Sequence, residues 1–218
     1  MDRIRAIEHR DCDHLAQMHQ NAMGNSLWGR LGRRFLRELY RGLVDSPYFL
    51  GFVYEERDEN GEQQIMGFIA GSTDTETMYR GVFQRRWALL GTMAVPGIIK
   101  RPLVLIRLFQ TPKYSKVSTP PGSDIPGESL FCSFAPELRG KRISGHINKV
   151  LFDELLARGH TEIKVSTETT NEGANRQLTS WGFEAIHHFH FYGKDMVTYV
   201  LNLTESDRVQ PRSLHRAV

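Results

Sequence analysis

The run Glu128 to Gly145, ESLFCSFAPELRGKRISG, constrains this chain more than any other. Its apolar part, Phe131 to Ala135, suits a buried strand. Pro136 has no N–H and cannot extend a central strand. Helical spacing begins at Ile143 and continues through Ile147, Val150, Leu151 and Leu155. Gly159 is placed to close that helix. A strand, a tight turn carrying Gly140 and a helix therefore follow one another. Such a connection aims the free N–H groups of the first helical turn at one point. Those donors and the helix dipole both favour phosphate. Arg139, Lys141 and Arg142 add positive charge around the same point. The turn pattern alone fits an ordinary strand–helix connection as well as an anion-binding loop.

The order of residues narrows the choice. Pro136 to Ser144, with Arg139, Gly140, Arg142 and Ser144 in sequence, resembles the pyrophosphate loop of the GNAT acyltransferase superfamily. Asn171, Ala174, Leu178 and the pair Gly182-Phe183 resemble that family's second motif, at the family's spacing. The resemblance covers about residues 1–72 and 126–203. It implies a mixed α/β fold: a central, mainly antiparallel, V-splayed sheet flanked by helices. It implies an N-acyltransferase that moves an acyl group, most simply acetyl, from acetyl-CoA or another acyl-CoA to a primary amine on a small molecule or protein. A CoA-binding module without catalysis, or an acyltransferase with longer-chain or carrier-protein donors, are the alternatives.

Composition fits a single soluble domain. The chain has 218 residues, 40% hydrophobic and 24% charged, with a net charge of +3, too small to indicate a nucleic-acid partner. Two cysteines, Cys12 and Cys132, form neither a disulfide framework nor a metal site, and a reducing cytoplasm is expected. The start of the chain lacks the apolar core of a signal peptide. The uncharged run Trp87 to Ile99 is too short to span a bilayer.

Taken in order, Ile4 and Ala6 suit a short strand, and Asp11 or Asp13 caps a helix carrying Leu15, Met18 and Ala22. After a loop near Gly24 to Gly29, a helix follows with the stripe Leu31, Phe35, Leu39 and Leu43. Its arginines, Arg30, Arg33, Arg34, Arg37 and Arg41, read as a solvated basic face or a binding surface. Phe49–Tyr54 and Gln64–Ala70 form a hairpin around Asn60-Gly61. Residues 72–126 are then an insertion, far longer than an ordinary connection. Helical stretches are expected near Tyr79–Thr92 and Pro102–Gln110. No acidic residue lies between Met78 and Ser123. The insertion is expected to form a lid or docking face beside the acceptor cleft, to bury itself in a homodimer or the core, or to touch a membrane or an acyl-carrier protein. Thr161–Thr167 is a strand, Asn171 opens a short helix, and Phe183–Phe191 pairs with Met196–Leu203 across Gly193-Lys194-Asp195. Domain boundaries fall at 1–203, with 204–218 as a flexible tail.

The family resemblance assigns cofactor contacts to Cys132, Phe134, Arg139, Gly140, Lys141, Arg142, Ile143, Ser144, Gly145, Asn171 and Ala174. Arg142 stands where the family usually has glycine, which suits a negative φ there. Cys132 reads as a small buried residue rather than a nucleophile. Glu128 is the candidate general base, given a pKa raised by partial burial, or else a surface glutamate at a strand end. Leu178 occupies the family's usual tyrosine position and cannot donate a proton. Ser133, Tyr192 and Tyr199 are the substitute general acids. His187, His188 and His190 read as solvent-side strand histidines, and no metal is expected.

Overall fold

A computed structural model describes residues 3–111, 114–120, 122–138 and 141–212. Seven strands form one sheet: β1 (Ile4–Ala6), β2 (Phe49–Arg57), β3 (Gln63–Ser72), β4 (Glu128–Phe134), β5 (Glu162–Glu168), β6 (Glu184–Phe191) and β7 (Lys194–Asn202), in the order β1-β2-β3-β4-β5-β7-β6. Every neighbouring pair is antiparallel except β4 and β5. Those two meet at one position, Glu128 opposite Lys164. Beyond it they part. The rest of β4 pairs only with β3, and the rest of β5 only with β7. This parting is the V-splay expected from the sequence.

The sheet separates two cores because side chains alternate along each strand. On one face Phe49, Val53, Phe68 and Ala70 pack beneath α1 (Cys12–Met23), α2 (Leu27–Leu31), α3 (Arg33–Val44) and α4 (Thr75–Lys100). On the other, Leu50, Phe52 and Ile69 pack against α7 (Ile143–Ala157) and α8 (Glu172–Trp181). A bulge sits between Ala70 and Gly71, where Phe131 and Ser129 are their respective partners and Leu130 is the extra residue. The bulge lets Glu128 and Phe131, three positions apart, point to the same face.

The expected insertion is helical. Asp74 caps α4 by accepting from the Thr77 amide at 2.9 Å. The helix bends at Arg86, which pairs with Asp45 at 2.6 Å, and continues past Pro96. Gly97 allows close approach to α2: a Cβ there would lie 2.6 Å from Leu31 Cα and 2.7 Å from Arg30 O. α5 (Val104–Gln110) and α6 (Tyr114–Ser118) follow. The segment ending in α6 is pinned to the far half of the sheet. Thr198 donates to Ser118 O (2.8 Å), Lys164 donates to Thr119 Oγ1 (2.7 Å), and His187 meets Val117 O (3.0 Å).

Several local expectations change. The stretch near Gly24 to Gly29 is not all loop, since Ser26 caps the one-turn helix α2. Asp11 makes no side-chain cap for α1. It instead holds Arg5 through two bonds of 2.7 and 2.9 Å, and Arg5 also reaches Glu55. The final hairpin turns one residue early, at Tyr192 and Gly193, both with positive φ. His187 is half-buried against α6 rather than solvent-facing. Residues 204–212 of the expected tail fold back: Val209 is buried in the α7 core, Gln210 donates to Asp153, and Arg208 lies over Trp181. Residues 213–218 lie outside the described residues.

Candidate active site

The splay between β4 and β5 places two sets of groups on opposite faces of the sheet. On the α7 face are the expected cofactor contacts. Arg139 and Gly140 lie outside the described residues. Lys141 and Arg142 are exposed, and α7 opens at Ile143. Not every expected amide is free: Lys141 donates to Leu138 O at 3.1 Å, and Gly145 donates to Arg142 O at 3.1 Å. The opening amides at Ile143 and Ser144 have no carbonyl one turn back within the helix, and Arg142 supplies no side-chain cap. That leaves an electropositive helix start. Arg142 has φ +57, in the left-handed region, which corrects the expected negative φ. A turn into the helix at this point demands that conformation even without glycine.

Asn171 caps α8 as expected, accepting from the Ala174 amide at 3.2 Å, and Gly182 closes the helix with φ +89. Phe134 packs in the α7 core. Cys132 is exposed rather than buried. It pairs with Ile69, on the α7 face. Desolvation by the surrounding protein atoms pushes its thiol up to about 12.

On the opposite face, Glu128 is 2% exposed, so the alternative of a surface glutamate falls. Burial raises its carboxyl above the ordinary glutamate value, while Lys164 and the Tyr114 hydroxyl pull it back part of the way. Tyr114 donates to Glu128 Oε1 at 3.1 Å. Thr75 lies close enough to lower the carboxyl too, although its hydroxyl finds no partner at hydrogen-bond geometry. Tyr79 stands nearby. Burial, Glu128 and Tyr192 all raise it, and its ring stacks on Trp28. Tyr192 completes the group, bonded to Thr111 Oγ1 at 2.8 Å and pushed up to about 12 by burial.

The three substitute acids separate cleanly. Ser133 is buried opposite Phe68, on the Glu128 face. Tyr192 shares that face, whereas Tyr199 packs in the α7 core and is remote from Glu128. Tyr114 and Lys164 were missed by sequence reasoning. Tyr114 comes from the insertion and Lys164 from a strand read only for its apolar positions. The alternation of Ile163 and Val165 does place Lys164 on the opposite face, which was the available signal. Among the described residues, no group of three His, Cys, Asp or Glu side chains could hold a metal. A cavity of about 760 Å³ is lined by Trp181, Glu162, Asp207 and Arg208, and its lining includes neither Glu128 nor the start of α7.

A seven-stranded sheet split between its one parallel pair, with a helix start at the mouth of the split, is the fold of the GNAT acetyltransferases. The solved structures it resembles include a GNAT-family protein from Desulfovibrio desulfuricans, at 11% identity and TM-score 0.55 over 92% of this chain and 98% of that one. Arabidopsis thaliana NAA60, solved in complex with acetyl-CoA, matches at 13% identity and TM-score 0.55 over 92% and 98%. A chimera of the spermidine N-acetyltransferase SpeG from Vibrio cholerae and hSSAT matches at 14% identity and TM-score 0.57 over 93% and 95%. No protein-family model and no curated protein sequence matches the chain.

Proposed function

We propose that this protein is an acyl-CoA-dependent N-acyltransferase that moves acetyl from acetyl-CoA to an amine. The observation that carries the reading is the β4–β5 splay, with the buried Glu128 at its vertex and the connection from β4 to the start of α7 leaving its open end. The pyrophosphate of CoA would rest on the opening amides of α7 beside Arg142 and Lys141. The acceptor would enter from the α4 side. Glu128 takes the proton from the ammonium, directly or through water. The amine nitrogen then attacks the thioester carbon, the N–C bond forms and the C–S bond breaks. The departing thiolate takes its proton from water or from Tyr192 or Ser133, since Leu178 has none to give. A raised carboxyl suits the base, because its basicity lies nearer the operating pH. Among the solved structures of similar fold are a spermidine N-acetyltransferase chimera and an acetyl-CoA complex, which supports amine and donor as classes. The α4–α6 segment, which brings Tyr79 and Tyr114 beside Glu128, would choose between a small amine and a protein amine. The test is mass spectrometry of the purified protein with acetyl-CoA and a panel of amines. Released CoA and an acceptor heavier by one acetyl group support the reading. CoA bound with no turnover on any amine would favour a CoA-binding module instead.

A further inference from the structure

The second half of α4 is apolar all round. No charged residue occurs from Trp87 to Ile99. Leu90, Ala94 and Gly97 face the protein. The opposite side faces solvent, with Trp87 74%, Val95 47% and Ile99 74% exposed. The chain then continues this surface through Leu103, 72% exposed, and Ile106, 58% exposed. A helix surface of this kind ordinarily lies against something.

Its rim is basic. Arg85 and Arg86 precede the stripe, and Lys100, Arg101 and Arg107 follow it. Arg86 is already paired with Asp45, and the arginines of α3 are largely paired too, Arg33 with Asp13 and Arg37 and Arg41 with Glu38. Several exceptions lie at the stripe's far end. Arg30 is held there by the close approach of α2 to Gly97. Burial and the neighbouring charges of Arg107 and Arg101 lower its pKa, and its Nε is buried without a partner. Among the described residues, Arg30, Arg101 and Arg107 meet no carboxylate at ion-pair distance.

We infer that the exposed face of α4 and α5 docks on an anionic lipid bilayer, with the apolar stripe among the acyl chains and Arg30, Arg101 and Arg107 on lipid phosphates. Charge decides between this occupant and a second copy of the chain. Two copies would bring arginine rims together with no acidic residue between 79 and 122 to offset them. Anionic headgroups supply that charge. Trp87, next to Arg86, is the residue type that favours headgroup depth, and the alternation of apolar face and cationic rim is that of a helix lying in the interface. No described helix is long and apolar enough to cross a membrane, so the contact is peripheral. Arg107 also acts on Tyr192, so the docked face adjoins the acceptor side of the cleft. The inference stands independently of acyl transfer.

Co-sedimentation of the full chain with vesicles tests it, comparing phosphatidylcholine alone with phosphatidylcholine containing phosphatidylglycerol. The protein should pellet with the anionic vesicles, remain in solution with the neutral ones, and be released by salt. Arg101→Gln/Arg107→Gln should weaken partition by about tenfold or more. Ile99→Asp/Leu103→Asp should abolish it, with an unchanged circular-dichroism melt because both side chains are already in solvent. Absence of binding to anionic vesicles, equal binding to neutral vesicles, or full retention by either double variant would overturn it. So would a dimer in sedimentation velocity that the Asp variant splits, in a protein that ignores vesicles.

Discussion

The two faces of the sheet solve different problems with different parts of the chain. The α7 face is built from a continuous run, β4 to α7, and an adjacent one, β5 to α8. Its groups are backbone amides and a cap, held by local hydrogen bonds. The α4 face gathers Thr75, Tyr79, Tyr114, Glu128, Lys164 and Tyr192 from five separate elements or turns. Its groups are ionisable side chains whose character depends on burial. The contrast teaches that a site made of backbone can be local, whereas one that tunes a carboxyl needs low-dielectric walls from distant segments.

The largest effect should fall on the α4 face alone. Glu128→Gln is expected to lower turnover by about 100-fold or more, the scale of a lost general base. Calorimetry should find CoA affinity unchanged. In the parent protein, activity should fall as pH drops through the raised Glu128 carboxyl, because the base must be deprotonated. A variant that loses CoA affinity and turnover together would break the division between the faces.

The next concerns stability. His19 is fully buried, its Nδ1 meets the Tyr40 hydroxyl at 2.9 Å, and burial lowers its pKa from 6.5 to about 4. Its folded value lies below its unfolded one. The associated stability is therefore complete above about pH 6.5 and is lost as pH falls towards 4, about 3 kcal/mol in all. Denaturant melts of His19→Gln should flatten the pH dependence in that window. An unchanged slope would remove His19 as its source.

A smaller effect belongs to the α7 face. Ser144→Asp sets a carboxylate at the helix start, where it should repel the CoA pyrophosphate. An affinity loss of about tenfold is expected by calorimetry, with a melt no lower than the parent's, since a carboxylate at a helix start favours the helix. Unaltered affinity would place the cofactor elsewhere. The smallest concerns Arg142. Relief of its left-handed backbone is worth about 1–2 kcal/mol, and glycine's greater freedom when unfolded returns about 0.5–1. Arg142→Gly should therefore raise stability by about 1 kcal/mol or less. A destabilised variant would mean that the guanidinium makes a contact worth more than the strain.

The same contrast explains what the sequence disclosed. Strand, turn and helix around Arg142 were legible because spacing, proline and glycine act within a few residues. Asn171 and Gly182 were legible as helix ends for that reason. Glu128 was found by its strand position, but its burial was not, because Tyr114 covers it from a segment whose fold depends on long-range packing. Lys164 was passed over because charge within a strand says little until a partner is known. Cys132 was misjudged, since a strand with one unpaired edge exposes positions that a closed sheet would cover. Arg142 shows the reverse limit: residue type suggested one backbone conformation, and the geometry of the turn required another.

The bulge at Leu130 gives one residue an influence beyond its own contacts. It acts as a phase marker: side chains before it and after it keep step with the sheet only because one residue is counted out of the ladder. Were Leu130 drawn into the ladder opposite Gly71, Ser129 would move opposite Ser72 and Glu128 would turn through to the α7 face. The chain would retain its sheet, its two hydrophobic layers and its helix start. Its carboxyl would then stand on the wrong side of the wall, and a slip of one residue in register would separate a folded protein from a working one.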